Sequence, residues 1–163
     1  MSTQTPFDLA AVEAIIAQRK ATPGALLPIL HDIQGVVGYI PPSVVPAIAE
    51  GLNISRAEVH GVITYYHFFR QHPVGEHVVQ ICRAEACQAR GCESLADHAK
   101  ELLGCDFHGT TDDNKFTLQT VYCLGQCASG PAIQIDDDLY ARVSKEKFNS
   151  CLLYTSDAAD DSL

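Results

Sequence analysis

The sequence lacks tryptophan, long apolar runs and a surplus of basic residues, and the last two absences each exclude a class of protein. No stretch approaches the roughly 18 consecutive apolar residues that a membrane-spanning helix requires. Lys and Arg together number 11 against 20 Asp and Glu, which gives a formal net charge of -9. Nucleic-acid binding and attraction to an anionic membrane both need basic side chains near phosphate, so we expect neither function.

Targeting signals and nucleotide-binding motifs are also missing. The first 20 residues have no basic segment before an apolar run, and they carry Asp8 and Glu13 with no Arg before Arg19. This pattern fits neither a secretory signal nor a mitochondrial transit peptide, so we expect a cytoplasmic protein with reduced cysteines. The absence of G-x-G-x-x-G, of a P-loop and of C-x-x-C argues against direct dinucleotide binding and against a thioredoxin-type redox pair.

The apolar pattern changes near residues 71–75, which predicts two domains. Residues 1–73 have helical spacing that is interrupted at residues 22–24 and 38–41, so we predict a bundle of four short helices. Each helix is too short to be stable alone and must pack on another helix or on a partner. Gly51 is the predicted C-terminal cap of the third helix, and Ser55 to Glu58 form a predicted capping box that begins the fourth.

Residues 74–149 follow the order β-α-β-β-α, which predicts an α/β domain with a mixed sheet and an α+β fold class for the whole chain. We predict strands at 77–82 and 116–121, a helix over 88–103 that Gly104 ends, and a hairpin whose turn lies at 136–138. Ser144 is expected to cap a final short helix. The tail 150–163, with Cys151, resembles translated vector sequence, and we treat it as a candidate non-native segment; a native frayed tail is the alternative.

Four of the seven cysteines form two pairs that each follow a predicted strand. Cys82 and Cys87 have the spacing C-x4-C, and Cys123 and Cys127 have the spacing C-x3-C. If the two strands are parallel, both pairs lie on loops at the same end of the sheet. A [2Fe–2S] cluster needs four thiolates, two for each iron, so these four cysteines are its candidate ligands. Gly125 would let backbone amides approach sulfur closely, as would Gly130, and Arg83 is a candidate to offset the negative charge of the cluster.

Other interpretations of the cysteines stay open at the level of the residues. Zinc also binds four thiolates, although structural zinc sites usually contain C-x2-C. Free, buried cysteines are another interpretation, and so is a Rieske-like centre in which two histidines replace two thiolates. We expect both Cys92 and Cys105 to be packing residues. Cys92 is the rival if one assigned ligand is wrong, because C-x4-C recurs from Cys87. A reactive-cysteine enzyme would need a positive neighbour such as Arg83 beside Cys82.

The two cysteine pairs, separated by about 35 residues and preceded by a helical segment, resemble the thioredoxin-like [2Fe–2S] ferredoxins. The resemblance covers residues 10–148 and includes the helical motifs LPILHDIQ, GYIP and SRAEVHGVITYY. Within that family it extends to the small iron–sulfur subunit of NADH dehydrogenase (complex I). The segments CRAEACQ and DFHGTT most resemble the gamma subunit of NAD-dependent formate dehydrogenase.

The resemblance implies a thioredoxin-like fold in which Cys82, Cys87, Cys123 and Cys127 ligate one [2Fe–2S] cluster. It implies a hetero-oligomer in which the N-terminal helices pack against a flavin-bearing, NAD-binding subunit. The cluster would exchange electrons with that flavin, and the chain would have no catalytic residue of its own. The aromatic run from Tyr65 to Phe69 has two interpretations, packing inside the chain or a subunit interface. A zinc-stabilised interaction module is the alternative from another functional class.

Overall fold

The computed structural model describes residues 7–160, with side chains described to residue 155. The chain divides into two compact units between Pro73 and Val74. The fold is α+β, as predicted: a helical first unit is followed by a second unit with a four-stranded mixed sheet. None of the described helices is long and apolar enough to cross a membrane.

Four α-helices and one 3-10 turn build the first unit. Helix α1 is Leu9–Arg19, α2 is Leu26–Val37, the 3-10 turn is Pro42–Val44, α3 is Val45–Leu52 and α4 is Arg56–Tyr65. Their apolar faces meet in one core, whose fully buried members include Val12, Ile29, Leu30, Ile33, Ile40, Val44, Ile48 and Val59. Because each helix is short, this shared core rather than helix propensity stabilises the unit.

Local signals explain where these helices begin and end. The capping box predicted at α4 is present, since the Ser55 hydroxyl accepts the Glu58 N–H and the Glu58 carboxylate accepts the Ser55 N–H. The predicted cap at Gly51 is wrong, because Asn53 ends α3 in the left-handed conformation with φ of 53°. Gly51 lies inside α3, where a Cβ atom would meet the Ile16 side chain at 2.4 Å. This glycine therefore permits close packing of α3 on α1.

The second unit is a sheet in the strand order β2-β1-β3-β4. Its strands are β1 His77–Cys82, β2 Phe116–Val121, β3 Ile133–Ile135 and β4 Asp138–Tyr140. Strands β1 and β2 are parallel, as expected, whereas β1–β3 and β3–β4 are antiparallel. The two predicted strand ranges at 77–82 and 116–121 match the structure, and the turn of the predicted hairpin joins β3 to β4.

The helices of the second unit differ from the prediction in two places. The single helix predicted over 88–103 is divided into α5 Glu85–Gln88 and α6 Cys92–Leu103, because Gly91 between them adopts a φ of 87°. The last helix, α7 Lys145–Asp160, is not short, and it continues far into the segment that we treated as a candidate non-native tail. Cys151 and Leu152 on α7 are buried in the core of this unit, beside Phe148.

Candidate metal centre

The four predicted ligands lie at the carboxyl ends of the two parallel central strands. Cys82 is the last residue of β1 and pairs in register with Val121, the last residue of β2. Cys87 follows in α5, and Cys123 follows β2 after one intervening residue. Cys127 begins a 3-10 turn, Cys127–Ser129, that leads to the cis peptide bond Gly130–Pro131. Parallel pairing thus brings residues about 40 positions apart to one edge of the sheet.

The two cysteines of each pair lie within contact of each other. The Sγ atoms of Cys123 and Cys127 are 3.6 Å apart. Cys82 and Cys87 pack together in one buried cluster with Cys92 and Ala132. The pKa of Cys87 is raised mainly by burial, and the charge of Cys127 in the other pair raises it further. The structure therefore places the four predicted residues as two pairs at the same end of the sheet.

The two pairs differ in their exposure to solvent. Cys82 and Cys87 are each only 2% exposed, whereas Cys123 and Cys127 are exposed. Burial is the main cause that raises the pKa of the Cys87 thiol. The pKa of Cys123 is lowered, first by the Gly125 N–H, which donates to its Sγ at 3.3 Å, and then by Cys127. The hydrogen bond shared with Cys123 in turn raises the pKa of Cys127.

The glycines predicted at the site have distinct roles. Gly125 has a φ of 77°, and its N–H reaches Cys123 Sγ, as the sequence suggested. Gly130 instead provides space: a Cβ atom there would lie 3.2 Å from both Cys87 Sγ and Arg90 Cδ. A side chain at this position would displace either a candidate ligand or a neighbouring cation.

Arg83 differs from its predicted role. Its guanidinium forms a bidentate ion pair with Glu93, with distances of 2.8 and 3.1 Å, and lies 5.3 Å from the ring centre of Phe107. The ion pair raises the pKa of Arg83 and lowers that of Glu93. The positive charge of Arg83 is thus largely offset by a carboxylate. Its backbone N–H donates to Val121 O at 2.8 Å, which ties the two cysteine loops together.

The three remaining cysteines occupy other environments. Cys92 is fully buried beside Cys82 and Cys87 at the start of α6, and burial raises the pKa of its thiol to about 11. Cys105 is half-buried at the edge of the main core of the second unit, and Cys151 lies inside that core. Only Cys92 of these three is close enough to the four-thiol set to act as a substitute ligand.

Three of the histidines make contacts away from the cysteine loops. His77 Nδ1 lies 2.7 Å from Asp136 Oδ2, and His98 Nε2 lies 2.8 Å from Asn149 Oδ1. His31 belongs to the first unit, where it packs against Phe68 and Phe69. Each of these rings has a packing or hydrogen-bonding partner, as expected of structural histidines.

The spacing of the outer thiol pair fits tetrahedral coordination of one metal ion. A tetrahedral metal with bonds of about 2.3 Å to two thiolates holds their sulfurs about 3.8 Å apart, close to the Cys123–Cys127 distance of 3.6 Å. Among the described residues, no group of three or more His, Cys, Asp or Glu side chains converges on one point suited to a metal ion. A [2Fe–2S] cluster needs one thiolate pair at each iron, and the chain provides two such pairs.

Comparison with known proteins gives the family. Residues 12–155 match the model of the thioredoxin-like [2Fe-2S] ferredoxins. The chain belongs to this family. Family membership identifies the cofactor as a [2Fe–2S] cluster, and it confirms the thioredoxin-like part of the predicted fold.

Two curated relatives of the chain are subunits of larger oxidoreductases. The chain is 39% identical over 114 residues to an NADH-quinone oxidoreductase subunit of Pseudomonas aeruginosa, covering 70% of this chain and 69% of that protein. It is 32% identical over 121 residues to the HndA subunit of the NADP-reducing hydrogenase of Solidesulfovibrio fructosivorans, covering 74% and 71%.

Solved structures support the same fold. The NAD+-reducing [NiFe]-hydrogenase in its H2-reduced state aligns with a TM-score of 0.66 over 77% of this chain, at 17% identity. The chain spans only 21% of that hydrogenase chain, so the likeness concerns the fold of one part of it.

Proposed function

We propose that this chain is an electron-transfer subunit whose [2Fe–2S] cluster is held by Cys82, Cys87, Cys123 and Cys127. The observation that carries the proposal is the arrangement of the four thiols as two pairs at the ends of adjacent parallel strands. When bound, the cluster supplies a site that takes up and releases one electron. The chain itself provides no general acid, base or nucleophile for substrate chemistry in this proposal.

The residues around the thiols fit an anionic cofactor that changes charge. The Gly125 N–H donates to Cys123 Sγ, and the backbone of Ala132 forms a hydrogen bond with Cys87 that lowers its pKa, opposing the effect of burial. These donors stabilise thiolates without adding a mobile counterion. Buried apolar neighbours, among them Ala132 and Cys92, exclude water from the side of the inner pair.

The proposed electron partner is a flavin-bearing, NAD-binding subunit of the same complex. Tyr65, Tyr66 and Phe68 of the first unit are 75%, 42% and 55% exposed, whereas Phe69 is buried in the core. The buried Gln34 side chain holds this segment, since it donates to Phe68 O and accepts the Arg70 N–H. Exposed aromatic side chains on a fixed backbone are typical of subunit interfaces.

A cavity of about 850 Å³ lies next to these aromatic residues in the first unit. Its walls include Leu26, Leu27, Leu52, Val62 and the two tyrosines. The cavity supports the proposal that the helical unit provides the surface on which the partner subunit packs, because an apolar cavity of this size accepts the side chains of another protein.

At the finer level, we propose that the complex is a cytoplasmic NAD-dependent formate dehydrogenase and that this chain is its gamma subunit. The support is the likeness of residues 82–88 and 106–111 to that subgroup. The alternatives are the equivalent subunit of an NADH-quinone oxidoreductase or of an NAD-linked hydrogenase, because the relatives described above carry those names. All three assignments share the same role for the cluster.

The proposed electron exchange is tested by anaerobic spectroscopy with the flavin subunit that co-purifies from the source organism. NADH is added to the chain alone and to the chain with its partner, and the visible absorbance of the cluster is followed. We expect bleaching only when the partner is present. Rapid bleaching of the isolated chain by NADH would contradict the proposal.

The choice among the three complexes is tested on the purified assembly. Formate, hydrogen and NADH are supplied separately, and cluster reduction is measured. NADH should reduce the cluster in all three complexes. Reduction by formate as well supports the formate dehydrogenase assignment, reduction by hydrogen supports an NAD-linked hydrogenase, and reduction by neither supports an NADH-quinone oxidoreductase.

A further inference from the structure

A second cavity, of about 340 Å³, lies in the second unit behind the cysteine loops. Residues from three distant parts of the sequence line it: Arg90 and Ser94 near the start of α6, Gly130 after the second cysteine loop, and Arg142 and Lys145 before and at the start of α7. Gly130 borders both the cavity and the inner cysteine pair, since a Cβ atom added there would lie 3.2 Å from Arg90 Cδ and 3.2 Å from Cys87 Sγ.

The cavity concentrates positive charge in an acidic protein. Three of the 11 Lys and Arg residues line it, and no carboxylate does. Arg90 and Arg142 form no ion pair within the part of the chain that the structure describes, in contrast to the Arg83–Glu93 pair. The acidic residue that follows Lys145 in the sequence is the exposed Glu146, whose carboxylate interacts electrostatically with Lys145.

Backbone donors add to this positive surface. Helix α6 has 12 residues and begins without a side-chain cap, after Gly91 in the left-handed conformation. The first N–H groups of an uncapped helix lack intrahelical acceptors and carry partial positive charge. Gly91 and Ser94 both line the cavity, so the amino end of α6 borders the same cavity as the three exposed cationic residues.

We propose that this cavity binds the phosphate group of a small phosphorylated molecule. Three cations match a multiply charged oxyanion better than a single carboxylate, and guanidinium groups pair with phosphate oxygens through two parallel hydrogen bonds. The cavity also has apolar walls at Leu95, Pro131 and Val143, which suit the organic part of such a molecule. The proposal does not depend on the redox role of the chain, since none of the four thiols lines the cavity, although Gly130 borders both sites.

Equilibrium dialysis of the full chain with radiolabelled inorganic phosphate and with ADP, at constant ionic strength, tests this proposal. We expect saturable binding of one anion per chain. ADP binding more tightly than phosphate identifies an organic phosphate, and equal binding identifies the free ion; both results support the phosphate site.

The double variant Arg142→Gln with Lys145→Gln is expected to weaken binding at least about tenfold, because it removes two of the three cations that line the cavity. The matched control is Arg56→Gln with Lys115→Gln, which removes two exposed cations that do not line the cavity. Circular dichroism checks that both variants are folded. The absence of saturable binding at millimolar anion, or equal binding by the two double variants, would overturn the proposal.

Discussion

At the scale of single residues, the two cysteine pairs are chemically unequal. Cys82 and Cys87 are buried, whereas Cys123 and Cys127 are exposed at the surface. Cys123 is also the thiol whose pKa is lowered by a backbone N–H, that of Gly125. We therefore expect the outer pair to be the one that solvent and small thiol reagents reach first.

The ligand assignment predicts different outcomes for two single substitutions. Cys123→Ser should lose most of the cluster, because it removes one of the four thiolates, whereas Cys105→Ser should keep the cluster. Iron content and visible absorbance of the two purified variants measure the difference. Equal retention of iron in both variants would count against the assignment.

Gly130 gives a second prediction at the residue scale. Gly130→Ala should lower cluster content and stability, because the new Cβ would lie 3.2 Å from Cys87 Sγ and from Arg90 Cδ. Gly61→Ala is the matched control: Gly61 lies in α4 with no atom within 4 Å of the added Cβ. The control should be neutral or stabilised by up to about 1 kcal/mol. Iron content and denaturant unfolding of both variants measure the effects, and a normal cluster in Gly130→Ala would contradict this interpretation.

At the scale of secondary-structure elements, the sequence best predicts those strands and helix ends that depend on neighbouring residues alone. Strands β1 and β2 and the capping box of α4 follow from β-branched runs and from Ser55 and Glu58. The break at Gly91 was missed, because a glycine in a helical pattern shows its φ only in the folded chain. The ion pair of Arg83 with Glu93 is also not predictable from the sequence, because it depends on how α6 packs beside the first cysteine loop.

Helix α7 carries a testable consequence for the C-terminal segment. Leu152 is 7% exposed and lies in the core, whereas its neighbour Leu153 is 65% exposed. Leu152→Ala should therefore lower the free energy of unfolding by about 2–5 kcal/mol, and Leu153→Ala by less than about 0.5 kcal/mol. Urea unfolding of both variants measures the difference. Equal stability would mean that this part of α7 does not contribute to the core; the origin of residues 150–163 is a separate question.

At the scale of the whole molecule, the two compact units have different proposed roles, cluster binding and partner binding. The second unit contains all four candidate ligands, and the first contains the exposed aromatic segment with its adjacent cavity. The change of apolar pattern predicts the boundary, and the cysteine spacing predicts the candidate ligands. The partner-binding role of the helical unit comes from the family resemblance. The cationic cavity was not predictable, because Arg90, Arg142 and Lys145 come together only through the order of the strands.

Removal of residues 1–70 tests the division of work. The shortened chain should keep its colour and iron, because its four thiols remain, but it should no longer bind the flavin subunit. Co-purification with a tagged partner subunit measures binding, with the full chain as the control. A shortened chain that still co-purifies would show that the partner surface lies in the second unit.

The central claim is tested most directly by electron paramagnetic resonance of the dithionite-reduced chain, with iron and zinc quantified on the same sample. The account predicts one unpaired spin for every two irons, which is the stoichiometry of a reduced [2Fe–2S] cluster. A sample without a spin signal that holds zinc in place of iron would contradict the account and would support an interaction module built on the helical unit.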